Sequence, residues 1–201
     1  MTELAVLQAV RLKGRVTPAE LTATLDEDVD DVAQQLTASG LLVGGPALRI
    51  SPSGRDRLDA LLAQERDGVD AAAMTAAYDE FRSVNTDFKA LVTDWQLKGG
   101  PGGKPNAHDD AEYDAAVLAR LDRVHARVLP IIEAVAAQAP RLNAYSVKLI
   151  AALDKVKSGD RTWLTRPLID SYHTVWFEWH EELIGVVGLT RAEAARSGDA
   201  Q

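Results

Sequence analysis

No aromatic ring occurs in the first 77 residues of this chain. All four Trp, four Tyr and three Phe lie between Tyr78 and Trp179. The two stretches must therefore build different cores, and 201 residues suffice for two small domains. The expected division is 1–66 and 67–201. Cysteine is absent, which excludes disulfides, thiolate metal sites and a cysteine nucleophile. The start, Met1-Thr2-Glu3, is acidic and does not read as a signal peptide. No apolar stretch approaches the roughly 18 residues that a membrane span needs, so the expected compartment is the cytoplasm. A net charge of −8 disfavours nucleic acid as the main partner.

In the first part, Leu4, Leu7, Val10 and Leu12 recur at helical spacing. Thr17-Pro18-Ala19-Glu20 then reads as a helix start, with Thr17 as cap, Pro18 at the first helical position and Glu20 closing a capping box. Val29, Val32, Ala33 and Leu36 predict a third helix ending near Gly40. Leu41–Val43, Gly44-Gly45-Pro46 and Leu48–Ile50 predict a hairpin, and Ser51-Pro52 opens a fourth helix carrying Leu58, Leu61 and Leu62. Thr17–Leu25, Ala38–Leu42 and Ile50–Arg55 resemble the winged-helix domains of MarR-type regulators, which implies three helices and a short β-hairpin. In such domains the third helix reads the major groove with Arg, Lys, Asn or Gln. Here that helix and its approach carry Asp26, Glu27, Asp28, Asp30 and Asp31, two glutamines and no base. Residues 1–66 hold seven Arg/Lys against ten Asp/Glu. Phosphate contacts supply much of the affinity for DNA, so DNA binding is not expected, and the five acids are the candidate face for docking a protein partner.

In the second part, Met74, Ala77, Phe81, Val84, Phe88, Leu91 and Trp95 step by three and four, which predicts one long amphipathic helix with Asp67-Gly68 as a weak hinge before it. Residues 98–106, rich in glycine, read as a flexible loop. They do not form a phosphate-binding P-loop: Lys98 stands where the first Gly belongs and Pro105 where Ser or Thr belongs. Ala111–Ala139 is predicted helical with a kink or split at Pro130. Pro140 opens a further helix, Ser171–Gly188 another, and Thr190 with Glu193 caps a short last one. The expected fold is thus mainly α, a winged helix-turn-helix followed by an antiparallel helical bundle.

Thr93–Gln96, His108–Asp110, Tyr113-Asp114, Pro140-Arg141 and Ser171–Glu178 are similar to an actinobacterial helical domain associated with winged-helix regulators and with relatives of pyruvate phosphate dikinase and other phosphoenolpyruvate-utilising enzymes. The Gly-rich segment leading to Ser-His and the ATP-grasp domain of those enzymes do not occur here. The resemblance therefore implies a non-catalytic docking or substrate-recruiting subunit that meets a dikinase-like catalytic chain. The alternative is a ligand-responsive MarR-type regulator, for which a homodimer is expected. Neither reading needs a cofactor. Among the side chains, Trp95, Tyr145, Tyr172, His173, Trp176 and His180 are candidates to line a pocket for a flat aromatic molecule, although aromatic residues at helical spacing also simply form core. His173 and His180 are two turns apart, too far to share one metal ion with Glu181, His108 or Asp109. No nucleophile or oxyanion hole accompanies them, so no catalytic residue is assigned.

Overall fold

The computed structural model describes residues 2–189 and Glu193. The chain is mainly helical with two small antiparallel sheets, and it divides into two units after Gly68. Among the described residues no helix is long and apolar enough to cross a membrane. The last short helix expected at Thr190 falls outside the described residues.

The N-terminal unit runs α1 (Glu3–Lys13), α2 (Pro18–Leu25), α3 (Asp30–Ala38), β1 (Leu42–Val43), β2 (Arg49–Ile50) and α4 (Pro52–Asp67). Thr17 and Glu20 form the expected capping box: Thr17 Oγ1 accepts from the Glu20 amide at 3.2 Å, and Glu20 Oε2 from the Thr17 amide at 2.8 Å. Val16 adds a single antiparallel bridge to Leu48 beside the β1–β2 hairpin. An aliphatic core gathers Val6, Leu7, Val10, Leu21, Leu36 and Leu58. Where α4 begins, Ser51 Oγ caps the Gly54 amide at 2.9 Å. A Cβ on Gly54 would lie 2.0 Å from the Leu41 carbonyl oxygen, so only glycine lets α4 start against the hairpin.

The C-terminal unit runs α5 (Ala71–Gln96), β3 (Leu97–Lys98), β4 (Lys104–Pro105), α6 (Ala111–Ala136), a 3₁₀ turn (Pro140–Asn143), α7 (Ala144–Lys157), α8 (Thr162–Thr165) and α9 (Tyr172–Val187). Helices α4 and α5 are separate, since Asp70 Oδ1 caps the amides of Ala72 and Ala73 and starts α5 anew. Asp87 and Ser83 meet Arg127, while Asp94 meets Arg120 and Tyr113. These pairs step in opposite directions, so α5 and α6 run antiparallel. Phe81 against Trp176 and His180, with Phe88 against Tyr172, sets α9 antiparallel to α5 in the same way.

Three expectations need correction. Residues 98–106 are not a loop, because Leu97 pairs with Pro105 and Lys98 with Lys104 in a tight hairpin. Its turn uses left-handed backbone at Gly99, Gly100 and Gly102, which is what the glycines are for. Of the kink or split expected at Pro130, the split does not occur, since α6 continues to Ala136. Pro130 and Ala126, whose carbonyl loses its donor, are both exposed, so the missing bond costs less there than it would in the core. Pro140 opens a 3₁₀ turn rather than the helix itself, and the short α8 was not anticipated.

Candidate functional site

Four of the six aromatic-pocket candidates share the seam between α5 and α9. Trp176 stacks on Phe88 at 4.3 Å and its Nε1 donates to Asn85 Oδ1 at 2.9 Å. Tyr172 packs on Phe88 as well, at 5.6 Å, and stacks on Trp176 at 6.1 Å, while its hydroxyl lies 3.1 Å from His125 Nδ1. His180 lies against Phe81 at 5.2 Å and Tyr78 at 6.5 Å. His173, half-buried, sits 6.0 Å from Phe88 and makes no hydrogen bond among the described residues. Tyr145 reaches the seam from α7, where its hydroxyl donates to Glu182 Oε1 at 3.3 Å and its ring lies 5.9 Å from Trp179. Arg141 closes that end with an ion pair to Glu182 at 2.8 Å. Trp95 is not part of this group. It packs against His108, at 4.4 Å, near the α5–hairpin junction.

Burial sets the titration of the seam. It pushes the hydroxyls of Tyr145 and Tyr172 up, helped at Tyr145 by the charge of Glu182. It pushes His173 down, and His125 down together with the charge of Lys157. A histidine with a depressed folded value stabilises the protein fully above its unfolded value of about 6.5, and that stability drains as the pH falls. Lowering the pH from 7 to 5 should therefore shift the urea midpoint of the C-terminal unit down. His125→Gln with His173→Gln should flatten that shift. Equal shifts in both proteins would mean that these imidazoles charge freely in the folded state.

A second group forms at the end of α5. The Asn106 amide donates to the Gln96 carbonyl at 2.8 Å, extending the β3–β4 ladder and delivering Asn106 and His108 to the start of α6. There Asp110 caps the Tyr113 amide at 3.0 Å, and Asp114 enters the apolar face of α6 with its side chain fully buried. Asp114 accepts from Asn106 Nδ2 at 3.0 Å, His108 Nδ1 at 3.1 Å and Arg161 NH1 at 2.9 Å. Burial raises the Asp114 carboxyl, but the hydrogen bonds from Asn106 and His108 and the charges of His108 and Arg161 outweigh it and hold it below the usual carboxylate range. Around this centre Asp94 pairs with Arg120, and Lys98 pairs with Asp110 at 2.7 Å. Asp94, His108, Asp110 and Asp114 come from three of the segments named in the resemblance, whereas Asn106, Lys98 and Arg120 lie outside them and Arg161 joins from the α7–α8 turn. Asn106, Asp114 and Arg161 were not assigned roles from sequence. Asp114 carried a readable signal: it stands three before Val117 on the stripe Val117, Leu121, Val124, Val128, an acid where the period demands an apolar side chain.

The third group lies in the N-terminal unit. Asp26 ends α2 in left-handed backbone, Asp28 Oδ1 accepts from the Asp30 amide at 3.0 Å, and Asp30 and Asp31 fill the first turn of α3. All five acids, Glu27 included, are exposed. Asp30 also edges an open groove of about 450 Å³ lined by Pro18, Ala33, Gln34, Thr37 and Leu48. Among the described residues no three His, Asp or Glu side chains gather closely enough to hold a metal ion. No protein-family model, curated protein or solved structure matches the chain.

Proposed function

We propose that this chain is a non-catalytic docking subunit, built as a winged helix followed by an antiparallel helical bundle, that meets its partner through the approach and first turn of α3. The order helix, bridging residue, helix, helix, hairpin, helix supports the winged-helix reading. The observation that carries the function is the exposure of all five acids in Asp26–Asp31 with no base on α3. The helix dipole accounts for one or two acids there, not five. The surplus repels itself and any phosphate backbone, whereas a basic protein surface satisfies it. The groove beside Asp30 gives such a surface a shape to enter. The resemblance of the bundle makes a dikinase-like phosphotransferase chain the partner proposed, with an aromatic small molecule as its substrate class. A regulator reading keeps the same winged helix but needs DNA to tolerate that charge.

Asp30→Lys with Asp31→Lys tests this. Both side chains are exposed, so the fold should persist, with about 1 kcal/mol lost at the helix start. Association with a partner captured from the native host should slow about tenfold at low salt, and the difference should shrink at high salt. Unchanged association rates at both salts, or one enriched operator recovered by the wild type from genomic fragments, would sink the proposal.

A further inference from the structure

A single cation would neutralise the buried Asp114, but two basic groups, His108 and Arg161, donate to it, and both keep a polar edge turned outward. The His108 side chain is 38% exposed and that of Arg161 is 45% exposed. His108 Nε2, and Nε and NH2 of Arg161, make no hydrogen bond among the described residues. The protonation pattern follows from counting hydrogens. Asn106 Nδ2 has two, which go to the Trp95 carbonyl at 3.2 Å and to Asp114 Oδ1 at 3.0 Å. His108 Nδ1 must then carry its own proton and donate it to Asp114, which leaves Nε2 as the outward nitrogen. Trp95 backs the imidazole at 4.4 Å, and Asn106 Oδ1 holds the His108 amide at 3.1 Å, so the ring is fixed on two sides. His108 Nδ1 and Arg161 NH1 bond the same oxygen, Asp114 Oδ2, at 3.1 and 2.9 Å, so the imidazole and the guanidinium are neighbours.

We propose that His108 and Arg161 form a binding site for a small oxyacid anion, either a phosphate or a carboxylate. The guanidinium donates to one anionic oxygen, and His108 Nε2 either takes the oxyacid's proton or, once charged, donates to a second oxygen. Asp114 cancels the Arg161 charge and anchors both groups, so protonating His108 gives the cluster a net positive charge facing outward. Lys98 with Asp110 and Arg120 with Asp94 cancel pairwise around it. Asp109, exposed and next to His108, opposes an anion. Its removal is therefore informative.

The test follows the imidazole Cε1–H resonances of the full chain during titration with inorganic phosphate or acetate, with ionic strength held constant by chloride. The His108 signal is assigned by its loss in His108→Gln. A saturable shift is expected for at least one of the two anions, and the one that saturates identifies the ligand as phosphoryl or carboxylate. Arg161→Gln should weaken binding about tenfold to a hundredfold, Asp109→Asn should tighten it, and Lys155→Gln, exposed on α7, should leave it unchanged. If Arg161→Gln fails to fold, the wild-type and Asp109→Asn titrations decide alone. The absence of a saturable shift with either anion, or an affinity insensitive to Arg161, overturns the site. The cluster would then be only a clamp joining the 106–108 turn to α6.

Discussion

Trp179→Ala should cost the C-terminal unit about 3–5 kcal/mol, the range for deleting a large aromatic side chain from a packed core. Trp179 is fully buried, edge-on to Phe81 at 6.3 Å and 5.9 Å from Tyr145. Trimming it only to Phe separates packing from polarity. Trp179 Nε1 is buried without a hydrogen-bond partner among the described residues, so Trp179→Phe removes an unsatisfied donor along with some volume. Trp176→Phe removes a similar volume but breaks the bond to Asn85 Oδ1, in a residue that is itself buried. The Trp176 change should therefore cost about 1–3 kcal/mol more than the Trp179 change. Urea unfolding followed by tryptophan fluorescence measures this cleanly, since every Trp lies in the C-terminal unit. Equal costs would show that an ordered water satisfies Trp179 Nε1.

The sequence read these helices well where one face carries all the information. The step from Met74 to Trp95 gives α5 almost to its ends, and Thr17 with Glu20 gives the start of α2. Periodicity fixes a face but not a height along the neighbouring helix, and that is why Trp95 was grouped with the wrong residues. It stands seven residues, about 10 Å, beyond Phe88. Phe88 already packs on Tyr172, the first residue of the antiparallel α9. Trp95 therefore lies past the end of α9 and finds His108 instead. The glycine-rich stretch failed for another reason. The β3–β4 pairing is made by backbone groups of Leu97, Lys98, Lys104 and Pro105, and no side-chain alternation announces a strand two residues long. Arg161 was invisible because only the chain's return through α7 brings it to Asp114, 47 positions earlier.

The largest non-additivity should appear at Asp114. Arg161→Ala or His108→Ala alone leaves the buried carboxylate with one of its two basic donors and with the hydrogen bond from Asn106, a state it tolerates at modest cost. Removing both basic groups leaves a fully buried anion with Asn106 as its remaining donor in the cluster. That double variant should lose about 3–5 kcal/mol at neutral pH, well beyond the sum of the single losses. The pH dependence of the Asp114 contribution should also reverse. In the wild type the folded carboxyl is held below its unfolded value, so Asp114 contributes stability above about pH 4 and loses it as the pH falls further. Without His108 and Arg161, burial is left as the dominant influence and raises the folded value above the unfolded one. Asp114 then folds preferentially as the neutral acid, and its contribution should offset the loss from His125 and His173, so the double variant should lose less stability than the wild type as the pH is lowered from 7 toward 5. Adding Asp114→Asn to it should recover much of the loss at pH 7, because the uncompensated charge is gone while a hydrogen-bonding side chain of the same size stays. Urea midpoints across pH for the wild type, the two single variants, the double and the triple decide the matter. Additive losses, or a triple variant no more stable than the double, would mean that water reaches Asp114 and that His108 and Arg161 are not what keeps the carboxylate ionised.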